Sequence, residues 1–403
     1  MRIAVLTDTH IRAPEGDTSS PYAVNELANA RAHYASALLA SLKPDHTVHL
    51  GDMVHPLPHM HAYASAAAEA HRLFEPLMPA LHFVPGNHDI GDKPSPGLPA
   101  KATNGEHIDR FESAFGESAW AHVCGHFTLV AINSSLINTG LEQEQAQFDW
   151  LQQTLSDHRE QRILLFSHYP PFILAPDEPD HYDNIAEPGR SRLLRMASDA
   201  GVAAIFSGHV HQFFFNRHAD MQLWCLPATS FTRQDYSELF RGEPAPEFGR
   251  DDTDKYGVVL IETEDDRFNV DWLPTFGRQL QAHDEATTFD SQAPNWRGLI
   301  PHLRHDWHSP VSLPYNGPME EFSRKAARND YPLLRLLQCG IDCVRVPLAD
   351  LVNDNSRQRM LDWASLGVRF VLFKLGTPSQ AEIALVNQHA SLLRGVELVT
   401  SQS

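Results

Sequence analysis

Five clusters in this sequence carry residues able to do chemistry: Asp8-Thr9-His10, Gly51-Asp52, Gly86-Asn87-His88-Asp89, His168, and Gly208-His209-Val210-His211. They supply carboxylates, imidazoles and one neutral amide. That mixture suits Mn, Fe, Zn or Co better than Ca or Mg, which prefer oxygen alone. There are donors enough for two ions and a carboxylate to bridge them. Taken singly the clusters mean little, since DTH at a strand end is ordinarily a turn and GHVH a plain histidine pair. Their weight lies in occurring together, in order, each in the same kind of place.

That place is the end of a strand. IAVLTD, DHTVHLGD, LHFVPGNHD, RILLFSH and VAAIFSGH are short apolar runs that stop at the polar cluster. Ligand sites of open α/β sheets lie at the carboxyl ends of strands, so these ends converge on one edge. Glycines at 51, 86 and 208 predict sharp turns there. Between the first runs, residues 25–43 place Leu27, Ala30, Tyr34, Leu38 and Leu42 at helical spacing, and residues 59–77 read as an Ala-rich helix. This alternation predicts an α/β fold. From Phe127 to Trp272 the strand-like runs come faster (FTLVAIN, RILLFSH, VAAIFSGH, MQLWCLPA, GVVLIET, RFNVDWL), with helices only near residues 142–155 and 189–200. That pattern predicts a mixed second sheet packed on the first. Residues 170–189 and 241–255, rich in Pro and acid, are long loops of the kind that carry function.

The chain has 403 residues, a formal net charge of −19 and 24 histidines. Its length predicts two domains. Its charge disfavours nucleic acid and anionic membranes as partners. No apolar run approaches the ~20 residues that span a bilayer, and MRIAVLTDTH lacks the apolar core of a signal peptide. A cytoplasmic location without membrane association is expected. Cys124, Cys225, Cys339 and Cys343 are too few for a disulfide framework and are read as buried thiols. Periodicity fades between Gln279 and Pro318, which predicts a first domain at 1–280, a linker at 281–318 and a second unit at 319–403. In that unit, helices at 319–338, 356–366 and 378–393 precede IDCVRV, VRFVLFK and VELVT. This is a small parallel α/β unit, like a fragment of a barrel repeat. It is read as a binding or oligomerisation module, with a homo-oligomer among the expected partners.

The ordered set DxH…GD…GNH[D/E]…H…GHxH resembles that of the calcineurin-like metallophosphoesterase superfamily, over about residues 1–275. Within it the chain looks most like the cyclic-nucleotide and glycerophosphodiester phosphodiesterase branch. The resemblance implies a four-layer αββα sandwich of two mixed sheets, beside the C-terminal parallel α/β unit. It implies that Asp8, His10 and His211 hold one ion, that Asn87, His168 and His209 hold another, and that Asp52 bridges them. His88 would face the substrate and assist the leaving group, with Asp89 behind it fixing its tautomer. Two ions (Mn, Fe or Zn) ~3.5–4 Å apart would share a water that attacks phosphorus in line.

The implied substrate is a small-molecule phosphoester. A diester is favoured, because an alkoxide leaving group needs an acid. A phosphomonoesterase or nucleotidase would use the same metals, and a non-catalytic metal-binding scaffold is the reading from another class. A nuclease is disfavoured by the charge. Tyr169, Arg190 and Arg233 are the candidate substrate contacts, joined by Tyr182, Asp183 and Asn184 of the first long loop. His55, His59 and His61 are read as surface histidines, and Asp92 and Lys93 as a solvated rim.

Overall fold

The computed structural model describes residues 1–16, 20–94, 101–233, 236, 246–281, 296, 298–303, 307–313 and 325–400. Most of the expected linker and the start of the second long loop, residues 241–245, lie outside these residues. The chain divides into two compact units. One comprises residues 1–289 and 312–327, the other residues 290–311 and 328–403. The stretch just after the fading periodicity belongs with the second unit, and the next stretch returns to the first.

In chain order the strands of the first unit are β1 (Arg2–Leu6), β2 (His46–His49), β3 (Leu81–Phe83), β4 (Trp120–Cys124), β5 (Phe127–Ala131), β6 (Arg162–Ser167), β7 (Ala204–Ser207), β8 (Phe214–His218), β9 (Met221–Cys225), β10 (Gly257–Glu264) and β11 (Arg267–Pro274). Its helices are α1 (Ala28–Ser41), α2 (Tyr63–Phe74), α3 (Asn87–Ile90), α4 (Gly105–Phe115), α5 (Glu142–Asp157) and α6 (Gly189–Asp199). One sheet runs β11-β10-β1-β2-β3 and the other β4-β5-β6-β7-β9-β8. Both are mixed. β1, β2 and β3 are parallel, β10 runs against them and β11 turns back beside β10, while β4 and β8 are antiparallel edges on the parallel set β5-β6-β7-β9.

Side-chain alternation explains the layers. Ala4 and Leu6 of β1 pack with Ala35, Leu38, Leu39, Ala66, Ala70 and Phe74 of α1 and α2. On the second sheet, Ile163, Leu165 and Ile205 pack with Phe148, Leu151, Leu193 and Leu194 of α5 and α6. The central strands are also buried on their other faces (Ile3, Val5, Leu164 and Phe166). Parallel strands buried on both faces read as continuous apolar runs, which is why RILLFS was legible. The result is the helix–sheet–sheet–helix sandwich.

Two expectations change. GVVLIET and RFNVDWL were assigned to the second sheet, but β10 pairs antiparallel with β1, Ile3 lying opposite Ile261, and extends the first sheet. Sheet membership depends on a partner far along the chain, and local patterning does not carry it. β4 and β8 have no clean strand period in the sequence: β4 is largely half-buried, and β8 is three buried residues followed by two half-buried ones. The helix expected over 319–338 begins only at Tyr331, with Pro332 in its first turn, while Ala326–Ala327 is extended. Proline starts a helix well and interrupts its interior. Residues 319–324 lie outside the described residues.

The second unit holds three parallel strands, Cys343–Pro347, Arg369–Leu375 and Leu393–Val399. Val344, Val346, Leu351, Met360, Trp363, Phe370 and Leu372 form its buried side. Among the described residues of the chain, no helix is long and apolar enough to cross a membrane.

Candidate metal centre

The loops that leave β1, β2, β3, β6 and β7 bring the sequence clusters to one buried spot. Backbone hydrogen bonds lace them together: Asp8 N–H to the Gly51 carbonyl (3.0 Å), His10 N–H to the Asp52 carbonyl (3.0 Å), and Gly208 N–H to the His168 carbonyl (3.0 Å). Asp8 (φ 53°), His10 (45°), Asp52 (53°), His209 (67°) and His211 (56°) all adopt left-handed backbone conformations. Non-glycine residues do so at a cost, and such strain gathers at functional sites. Of the three glycines expected to turn sharply, Gly51 does so, with φ 103°. Gly86 serves a different purpose: its backbone is extended, and a Cβ there would lie 2.3 Å from Asp52 Oδ1.

Two donor sets result. In the first, His10 Nε2 lies 3.2 Å from His211 Nε2 and 3.5 Å from Asp52 Oδ2, and Asp8 Oδ1 lies 3.3 Å from His211 Nε2. In the second, His168 Nε2 lies 3.0 Å from Asn87 Oδ1 and 3.4 Å from Asp52 Oδ1, and His209 Nδ1 lies 3.0 Å from Asn87 Oδ1. Asp52 gives one oxygen to each set, as a bridging carboxylate must.

The residues fit cations on three counts. His211 Nδ1–H donates to the Phe231 carbonyl (2.7 Å) and His168 Nδ1–H to the Leu50 carbonyl (2.8 Å), so both Nε2 lone pairs point inward. Lone pairs facing each other at this range need a positive centre between them. Asp8 Oδ1 is buried without a hydrogen-bond donor. Burial opposes a charge on His168, but the adjoining Asp52 carboxylate outweighs it and lifts the imidazole to about 9; the site thus favours a positive charge at this point, and an ion bound there would displace the Nε2 proton. Burial, then the neighbouring His88, holds His10 well below the ordinary histidine range, and burial with His168 does the same to His209. Neutral imidazoles are what metals bind.

Asp89 does not sit behind His88. Its carboxylate accepts from the backbone N–H groups of Asp52 (2.7 Å), Gly86 (2.8 Å) and Met53 (3.1 Å). It occupies the third position of α3 and pins the β2 and β3 loops to each other. Asp89→Ala is expected to lower unfolding stability by about 3 kcal/mol or more, because each buried N–H left unsatisfied costs about 1–3 kcal/mol. Denaturant titration measures this, and an unchanged midpoint would refute it. His88 is held instead by the backbone of His55, whose carbonyl accepts from His88 Nδ1–H (2.6 Å).

His55 itself is a correction. It is buried, with Nδ1 3.2 Å from His10 Nδ1, whereas His59 and His61 are exposed. The other inward-facing histidines rest their back nitrogens on carbonyls, and His10 rests its own on His55. Outer partners of this kind hold a ligand's tautomer and typically contribute 10–100-fold in metal affinity. His55→Ala is expected to weaken the first ion by about that factor, with the second ion bound as before. Calorimetry showing equal losses at both positions would contradict this.

The substrate candidates scatter. Tyr169 is buried behind the centre, its hydroxyl donating to Asp92 Oδ1 (2.9 Å) and its ring 4.1 Å from that of His209. Asp92 and Lys93 are buried rather than a solvated rim; Lys93 Nζ donates to the carbonyl oxygens of His181 and Asn184, and burial lowers its ammonium to about 8. Arg190 ties its own loop together, donating to the Glu178 carbonyl (2.7 Å) and pairing with Glu187 (3.1 Å). Asn184 likewise donates to Glu178 (2.9 Å). Arg233 does reach the centre's margin. It pairs with Asp183 and lies over the Tyr182 ring (4.9 Å). Asp183 also takes Lys325 and the Tyr236 hydroxyl (2.7 Å), and its Oδ1 stands 3.7 Å from His209 Nε2. Lys325 carries no motif around it, and the sequence offered no signal for its place here.

Two His and carboxylate sets sharing one carboxylate, at the carboxyl edge of a two-sheet sandwich, define the architecture of a dinuclear metallophosphoesterase. Residues 1–213 match the family described as calcineurin-like phosphoesterase, and the chain belongs to it. Among curated relatives, the serine/threonine-protein phosphatase CPPED1 of Danio rerio is 32% identical over 183 residues, or 42% of this chain and 55% of that protein. The probable glycerophosphodiester phosphodiesterase GpdQ of Arcobacter nitrofigilis is 25% identical over 230 residues, or 53% of this chain and 72% of that protein. The chain spans about half the length of the CPPED1 relatives it matches. A purple acid phosphatase from yellow lupin shares 15% identity at a TM-score of 0.46, over 70% of this chain and 52% of that one.

Proposed function

We propose that the chain hydrolyses a small phosphodiester at this centre, with Asp8, His10 and His211 around one ion, Asn87, His168 and His209 around the other, and Asp52 between them. When bound, ions of this class (Mn, Fe or Zn) polarise a phosphoryl oxygen and make a nucleophile available near neutral pH. The chain supplies the rest. The observation that carries the diester reading is the setting of His88. Its Nδ1 is committed to the His55 carbonyl, its ring stands edge-on 4.6 Å from His10, and it is the partly exposed member of an otherwise buried set. Nε2 is therefore the nitrogen left to give a proton to a departing alkoxide.

A phosphomonoester is the second reading, favoured by relatives named as a serine/threonine-protein phosphatase. Rates on bis-p-nitrophenyl phosphate and p-nitrophenyl phosphate separate the two. A kcat/KM higher on the monoester would overturn the diester reading.

Beside the second donor set, Asp183 is flanked by two cations, Arg233 and Lys325. Burial works against its charge, but these cations hold its carboxyl well below the usual range. A guanidinium is the usual fork for a phosphate oxygen, so Arg233 at this margin suits an anionic substrate. Arg233→Met is expected to raise KM about tenfold, a loss of about 1.4 kcal/mol in uniform binding, with kcat little changed. An unchanged KM would reduce Arg233 to a partner of Asp183.

A further inference from the structure

The second long loop brings a further cation to the metal centre. Arg250 follows the short 3-10 turn Glu247–Gly249, and backbone bonds fix its place. Its N–H donates to the Glu247 carbonyl (3.2 Å), and its carbonyl accepts from the Thr232 N–H (2.9 Å) and the Tyr256 hydroxyl (3.0 Å). The Glu247 carboxylate accepts from the Val24 N–H (2.9 Å), which ties the loop to the segment ahead of α1. The Arg250 guanidinium rests on two aromatic rings, 3.9 Å from the Tyr22 centroid and 4.4 Å from that of Phe231. Phe231 also packs on two residues of the first donor set, its ring 4.7 Å from His10 and 4.5 Å from His211. One ring therefore links Arg250 to the centre.

The rings hold this cation, but among the described residues no acceptor takes its protons. Nε is buried without a hydrogen-bond partner, while the terminal amines keep contact with solvent. Neighbouring arginines differ. Arg31 donates to the Ser230 carbonyl (2.6 Å) and to Asp251 (2.9 Å), as an arginine that braces a fold does, and Arg233 pairs with Asp183. Burial lowers the Arg250 guanidinium to about 10, so it stays charged at neutral pH. A charge drawn away from water without a partner is costly. A guanidinium fork matches carboxylate and phosphate oxygens, and this one is held ready with its end open.

Its position indicates which part of a substrate it meets. His88 leans on the same His10 ring as Phe231 does (4.6 Å and 4.7 Å), and the His55 ring neighbours both (5.0 Å and 6.3 Å). Arg233 stands instead beside His209 of the second donor set, through Asp183. The leaving group departs past His88, so Arg250 lies on the leaving-group side. We propose that Arg250 forms a subsite for a second anionic group, a carboxylate or a phosphate, carried by the leaving alcohol; this rests on the diester reading above. The substrate is then a diester with a charged leaving alcohol.

Binding tests this without turnover. Three monomethyl benzylphosphonates, in which a carbon–phosphorus bond stands in for the scissile one, carry a para carboxylate, a para phosphonate or a para carboxamide. Calorimetry on the full-length, Mn-loaded protein measures each. Wild type is expected to bind the better-fitting anion about tenfold more tightly than the carboxamide, on the scale of a charged hydrogen bond. The two anionic probes tell a carboxylate subsite from a phosphate one. Arg250→Gln should bring both anions down to the carboxamide's affinity and bind the carboxamide as wild type does. Arg250→Lys, which keeps the charge but not the fork, should fall between. Equal affinity for all three probes in wild type would overturn the proposal, as would discrimination that survives Arg250→Gln. Weakened carboxamide binding in Arg250→Gln would also overturn it, marking Arg250 as a brace of the loop. Turnover of bis-p-nitrophenyl phosphate on the same preparation keeps the two readings apart. No discrimination with intact diester turnover defeats this inference alone, whereas discrimination without that turnover keeps the subsite and defeats the diester reading.

Discussion

Asp52→Asn is expected to abolish hydrolysis and to strip both ions from the centre. The substitution keeps the side chain's size and one oxygen but removes its charge. That charge faces both donor sets at once, with Oδ2 3.5 Å from His10 and Oδ1 3.4 Å from His168. Loss of an outer partner alone lowers metal affinity ~10–100-fold, and a shared inner ligand should cost more at each position. Activity should fall by more than ~10³, since both the electrostatic stabilisation and the nucleophile go with the ions. Asp52 Oδ1 also accepts from the His88 backbone N–H (2.8 Å), a bond the asparagine oxygen can keep, so the loss traces to the ions and not to the placement of His88. Metal analysis and turnover on one preparation measure both effects. A variant with two bound equivalents and near-normal turnover would sink the dinuclear reading.

His88→Ala should do something different: the ions stay, and turnover falls by about 10²–10⁴, the usual worth of a positioned general acid. The loss should be larger for an alkyl ester than for a nitrophenyl ester, whose leaving group needs no proton. Metal content should remain at the wild-type value, because the imidazole lies beside the donor sets rather than within them. Equal losses on activated and unactivated esters would remove the acid role and leave a binding one. The two variants therefore separate building the centre from using it.

How much of this was legible can be argued from particular residues. The clusters at 8–10, 51–52, 86–89, 168 and 208–211 each end a strand, and parallel strands bring such ends to one edge. Nothing more than local sequence was needed to gather them. In the sequence, the carboxylate of Asp89 after a histidine suits two partners, and the neighbouring ring is the wrong one. The third position of a short helix aims the carboxylate at backbone N–H groups instead. His55 was read as a surface histidine, since only the fold shows that the β2 loop turns back beneath His10. Asp183 was one loop candidate among several, and its pairing with Arg233 and Lys325 joins residues about 50 and 142 positions apart. The β10–β11 hairpin was recognised as strands but given to the wrong sheet for the same reason: its partner lies at the other end of the domain.

That hairpin bears on how the chain is made. β1, with the Asp8 and His10 loop at its end, sits inside its sheet between β2 and β10, Arg2 opposite Glu262. During synthesis β1 must wait for nearly the whole domain before its second edge is covered. Until then it exposes a row of unpaired backbone groups, the feature that invites pairing between chains. A fragment cut at residue 213, where the family match ends, would keep every candidate metal ligand and leave that edge bare. A piece that covers this edge must run past Pro274, the end of β11, and one that also keeps Lys325 on Asp183 must reach residue 327.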